Sequence, residues 1–107
     1  MKLFTKAQEA RLIKNAQDGE DSKRKPVVKL FGGSSSTWLI SEKDGDQLFG
    51  LCDLGMGYPE LGYVSQTELE AVRFQFGLRI ERDLHFRAEQ TISDYAAEAQ
   101  QAGRILA

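Results

Sequence analysis

A single cysteine, Cys52, and a single histidine, His85, remove several chemistries at the outset. One cysteine makes neither an intrachain disulfide nor a thiolate zinc cage. The reading is a reduced, half-buried thiol in a cytoplasmic protein. One histidine excludes the two-histidine metalloprotease site. No stretch approaches the ~18 apolar residues of a membrane span. The start, Met-Lys-Leu-Phe-Thr-Lys, has no long apolar run behind it, so no signal peptide is expected. Gly32 and Gly33 lead into Trp38-Leu39-Ile40, which is strand material, whereas a phosphate-cradling loop ends in Gly-Lys-Ser/Thr and opens a helix. No cofactor is expected. There is no internal repeat, and Ser34-Ser35-Ser36 is the one low-complexity run.

What is there fits one soluble domain. The chain has 107 residues, 41% apolar and 28% charged. A chain of that length buries roughly 65% of its unfolded surface, enough for a core without staples. The net charge of −2 is unevenly placed: residues 1–30 carry +4 and the remainder −6. Two readings fit, a basic surface at the N-terminal end or two solvated faces.

Thr5, with Gln8 three residues on, reads as a capping box for a helix over residues 6–16. Asn15–Lys25 is almost devoid of apolar residues and is expected to be a mobile surface loop. It holds Lys23-Arg24-Lys25, which contact phosphates or simply solvent. Pro26–Phe31 is the first strand, with proline at its start. Thr37–Glu42 and Gln47–Leu54 flank an Asp44-Gly45 hairpin signal. A two-residue Asp44-Gly45 turn pairs Lys43 with Asp46, Ile40 with Phe49 and Trp38 with Leu51. That register gathers one aromatic and aliphatic face.

Asp53–Tyr58 is a glycine-punctuated connection to a strand around Leu61–Val64. Ser65 then caps a helix, with Glu68 completing a Ser-x-x-Glu box and Val64 and Leu69 forming a staple. Leu69, Val72 and Phe76 repeat at helical spacing, so the helix is expected over 66–76, ending at a left-handed Gly77. Leu78–Arg87 alternates as a strand, with Ile80, Leu84 and Phe86 on one side and Glu81, Asp83, His85 and Arg87 on the other. Thr91 caps a last helix whose stripe, Ile92, Tyr95, Ala99 and Ala102, docks closely or frays. The expected fold is α+β. It has an N-terminal helix, a mainly antiparallel sheet of about four or five strands, one helix on the sheet and a C-terminal helix.

Three pieces of the chain, Leu48-Phe49-Gly50, Pro59–Leu69 (PELGYVSQTEL) and Gly77–Phe86 (GLRIERDLHF), resemble a bacterial family of unknown function, the one numbered 2958. The opening Lys-Leu-Phe-Thr and following helix fit as well. The resemblance covers about residues 1–88 and divides the chain into a domain over 1–88 and a helical extension over 89–107. Members are small proteins often carried by plasmids, conjugative elements and phages. The resemblance implies a mobile-element setting and assigns no catalytic residue.

Three functions are weighed. The first is a small non-enzymatic accessory protein acting through protein contacts in the cytoplasm, with Glu60, Tyr63, Tyr58, Asp83 and His85 as candidate contact residues. Glu60 has a competing role in satisfying N–H groups of the turn. The second is a nucleic-acid-binding module using Lys23, Arg24, Lys25 and Lys29 with exposed tyrosines; here Trp38 and Phe31 are either stacking rings or core. The third is a metal-dependent hydrolase built on Glu81, Asp83 and His85, with Asp53 or Glu60 added from a neighbouring element. Charges alternating on a solvated strand explain that last pattern equally well. A Cys52–His85 nucleophilic pair is a further arrangement, with nothing in sequence to bring the two together.

Overall fold

The computed structural model describes residues 2–19 and 21–107. Glu20, part of the expected loop, and Met1, part of the expected start, lie outside the described residues. The elements are α1 (Lys6–Gln17), β1 (Val28–Gly32), β2 (Ser36–Asp44), β3 (Gln47–Asp53), β4 (Glu60–Ser65), α2 (Gln66–Ala71), β5 (Glu81–Arg82) and α3 (Ile92–Ala102). The strands form one antiparallel sheet in the order β4-β3-β2-β1-β5. The fold is α+β, as the sequence predicts.

Both faces of the sheet are covered. On the first face Leu12 of α1 and Leu69 of α2 pack with Leu3, Phe4, Val28, Leu30, Trp38, Ile40, Leu48 and Ile80. On the second face Ile92, Tyr95, Ala96 and Ala99 of α3 pack with Leu39, Leu51 and Ile105. The small alanines let α3 sit close to the strands, so the thin stripe docks, with Ala96 joining it and Ala102 left exposed. Its start is capped as expected, the Thr91 side chain accepting from the Asp94 N–H. At the other end of the chain Thr5 and Gln8 form the full reciprocal box.

The hairpin register differs from the expected one. The turn residues are Gly45 and Asp46, and Asp44 pairs with Gln47, Lys43 with Leu48 and Glu42 with Phe49. Gly45 has φ +59°, which suits glycine at the first central position of a two-residue hairpin turn. The irregularity between Ile40 and Glu42 then resets the pairing to Ile40↔Gly50, Leu39↔Leu51 and Trp38↔Cys52. Ser41 is the extra residue of this bulge. Its carbonyl accepts from the Asn15 side-chain amide at 2.9 Å, which ties α1 to it. Opposite the bulge, Gly50 leaves room for the Leu39 carbonyl, which would lie 2.0 Å from any Cβ placed there. The consequence is two cores rather than one heavy face: Trp38 and Ile40 go to the first, Leu39 and Leu51 to the second.

Two further elements are shorter than predicted. α2 stops at Ala71, with Val72 already extended. The Arg73 and Arg79 guanidinium groups both donate to the Glu70 carbonyl, at 3.0 and 2.7 Å, and so close the helix end early. Gly77 is therefore no helix cap. It ends a 3-10 turn over Gln75–Gly77, in which Phe76 takes φ +61°. Phe76 does not reach the core and is 94% exposed.

The strand predicted over 78–87 shrinks to Glu81 and Arg82, paired with Phe31 and Leu30. After Arg82 the Asp83 N–H donates to the Lys29 carbonyl at 2.9 Å. The Asp83 carboxylate then accepts from the His85 N–H at 2.8 Å, turning the chain away from the sheet. Leu84, expected on a buried face, is exposed.

Candidate functional site

The start of α2 is held from the hairpin turn. The Asp46 carbonyl accepts from the Gln66 N–H at 2.8 Å. Its carboxylate accepts from the Thr67 N–H and hydroxyl at 2.9 and 2.6 Å, and from the Ser65 hydroxyl. Ser65 in turn accepts from the Glu68 N–H at 3.1 Å. The first three N–H groups of the helix are thus satisfied by Asp46 and Ser65. The Ser65 half of the expected box forms without the reciprocal Glu68 side-chain bond, and Asp46 caps the helix from the hairpin turn instead. The Ser65 and Thr67 hydrogen bonds hold its carboxyl below the ordinary value of 3.8. This clamp fixes where β4 ends and keeps it in register with β3.

β4 is the outer strand of the sheet. It pairs with β3 without interruption from Gln47↔Ser65 to Cys52↔Glu60. Along it Glu60 and Tyr63 are exposed, and Pro59 just before it is buried. The Tyr63 ring lies against Phe49, with centroids 5.1 Å apart and planes at 56°. That contact occupies one side of the ring, and 59% of the residue stays open to solvent. The preceding connection is open as well: Leu54 is 59%, Met56 72% and Tyr58 80% exposed. Its base is anchored by the buried Asp53, whose carboxylate accepts from the Gly55 N–H at 2.8 Å and the Ile105 N–H at 3.0 Å. A cleft of about 580 Å³ runs beside β4, between Tyr63 and Val64 on one side and Leu69 and Val72 on the other.

Tyr58, Glu60 and Tyr63 therefore lie along one edge of the sheet, with Glu60 and Tyr63 pointing to opposite faces of β4. Leu54, a linker residue by sequence, lines the cleft beside Tyr63, and Met56 in the same linker is open to solvent. Their hydrophobicity inside a glycine-rich connection was the available signal.

Asp83 and His85 lie at the opposite edge of the sheet. They line a separate cleft of about 610 Å³ with Lys29 and Tyr95. Lys29 is engaged there, 3.7 Å from the Asp83 carboxylate and donating to the Ala107 carbonyl oxygen at 2.6 Å. Because β5 is so short, Glu81, Asp83 and His85 share no strand face. Among the described residues no group of three or more His, Cys, Asp or Glu side chains is placed to hold a metal ion.

The basic triplet is split. Lys23 and Lys25 are exposed. Arg24 turns inward, ion-paired with Glu42 at 3.1 Å and donating to the Gly19 carbonyl at 3.0 Å. Its own carbonyl accepts from the Ile92 N–H at 2.8 Å, and the Ser22 carbonyl accepts from Ser93 at 3.1 Å. The described part of the loop is thus tied to α3 rather than free. Trp38 is buried, and Phe31 is partly open.

Cys52 faces the first core. Burial pushes its thiol up to about 11, so it is protonated at neutral pH. β2 and β1 separate β3 from β5, roughly 14 Å of sheet width at the usual strand spacing. The sheet does not bring Cys52 and His85 together.

No helix among the described residues is long and apolar enough to cross a membrane. No curated protein and no solved structure is similar to the chain. The model of one family of proteins of unknown function, DUF2958, matches residues 3–106, a span that takes in α3. The chain belongs to the DUF2958 family.

Proposed function

We propose that this is a small non-enzymatic accessory protein of the cytoplasm that works by contact with another protein, through β4 and the connection before it. One observation supports this above others. Leu54, Met56, Tyr58, Leu61 and Tyr63 are all exposed within ten consecutive residues. Single exposed apolar residues are ordinary, but a contiguous group of this kind marks interaction surfaces. Tyrosine is also a residue that interfaces favour, offering an apolar ring with a polar tip. The mobile-element setting is carried over from the family resemblance.

The test is affinity capture from cells that carry the gene, comparing the wild-type chain with Tyr58→Asp and Tyr63→Asp. A protein held by the wild type and lost from both variants supports the reading. Identical retention by all three chains overturns it.

A further inference from the structure

Edge strands are normally protected against joining another chain. Lysine, proline, a bulge, very short length or a covering segment does this. β5, at one end of the sheet, is two residues long. β4, at the other end, has six residues and an unbroken register. It contains no lysine, arginine or proline. At its centre, a Cβ built on Gly62 would meet nothing within 4 Å. That leaves the sheet face open at Gly62, and among the described residues the main chain of 60–64 makes no hydrogen bond outside its pairing with β3.

The charge around this edge has one sign. Between Asp44 and Val72 the chain carries six acidic residues and no lysine, arginine or histidine. Asp44, Asp46, Glu60, Glu68 and Glu70 are exposed. A second copy is a poor occupant. Antiparallel pairing of β4 with itself sets Glu60 opposite Ser65, beside Asp46, and parallel pairing sets Glu60 against Glu60. A nucleic acid brings phosphates to an acidic face.

We infer that β4 takes an extended, basic segment of a partner protein as a sixth strand of the sheet. This deepens the protein-contact reading proposed above and rests on it. Main-chain hydrogen bonds along β4 supply the attachment. Alternate side chains of the added strand meet Leu61 and Tyr63 on one face and the Val64–Leu69 cleft on the other. Lysine or arginine side chains find Glu60 at one end and Asp46 and Glu68 at the other. The open rings of Tyr58 and Tyr63 offer cation–π contacts to the same groups.

The test is selection from a displayed library of random peptides of about ten residues, sized to a typical strand with its flanks. The intact chain is the target, and binders are measured against Glu60→Lys and Glu60→Gln. The expected winners are net positive and alternate apolar with polar residues. They should slow hydrogen exchange of the β4 amides and lose about tenfold in affinity to Glu60→Lys. The loss is smaller for Glu60→Gln, and binding to the wild type weakens with salt. Neutral or acidic winners that protect β4 overturn the basic partner and leave the contact surface standing. Winners that leave β4 exchange unchanged, or a selection that enriches nothing, overturn strand addition. Failure of the protein-contact reading shows itself separately, as capture that the Tyr58 and Tyr63 variants do not alter.

Discussion

Asp46, in the β2–β3 turn, accepts hydrogen bonds from both the main-chain N–H and the hydroxyl of Thr67, in the first turn of α2, at 2.9 and 2.6 Å. The tip of the hairpin and the start of the helix are therefore one unit. β4 ends at this unit and is the outer strand of the sheet.

The protonation of Asp46 follows from that geometry. Its carboxyl lies below 3.8 in the folded chain because Ser65, then Thr67, donate to the charged form. A depressed carboxyl contributes stability that is present above the unfolded value and is lost as pH falls through the folded value. Urea midpoints should drop as pH falls below about 4. Asp46→Asn should lower the midpoint at neutral pH and flatten that part of the profile. An unchanged profile in the variant would show that the clamp contributes nothing.

Gly50 faces the bulge, where a Cβ would lie 2.0 Å from the Leu39 carbonyl. Backbone cannot yield as a flexible side chain does. Gly50→Ala should cost on the order of 3 kcal/mol, the upper end for overpacking, measured by urea unfolding. Gly62→Ala, on the neighbouring strand with open space around it, should cost far less. Equal losses for the two would contradict the bulge geometry.

α3 closes the second core, and Ile92 is its fully buried anchor. Ile92→Ala should cost about 3 kcal/mol. A loss within about 0.5 kcal/mol, the range of surface substitutions, would mean that the helix is not docked in solution.

Cys52 should react slowly with thiol reagents at neutral pH, since burial holds it protonated, with its pKa at about 11. Labelling in urea should be fast. Fast labelling of the native chain would place the thiol outside the core.

What the sequence makes legible here is local. Thr5 with Gln8, Thr91 with Asp94 and the strand before Ser65 are read from neighbours within a few residues, and the structure has them. What escapes is set by distant partners. Asp46 selects Gly45-Asp46 as the turn because its carboxylate belongs to α2, 21 residues on. Arg79 ends α2 early by reaching back to Glu70. Arg24, one of three consecutive basic residues, is withdrawn by Glu42, 18 residues away. The candidate surface is half legible for the same reason. Tyr58, Glu60 and Tyr63 stand out by type, but the exposure of Leu54 and Met56 depends on where the sheet ends.

The most direct test of protein contact through this edge is site-specific photo-crosslinking in cells, with the reactive side chain placed in turn at Tyr63, Tyr58 and Arg11. Arg11 is exposed on α1, which packs against β2. The account predicts a discrete protein adduct from positions 63 and 58 and none from 11. Adducts from 11 alone, or from none of the three, would contradict it.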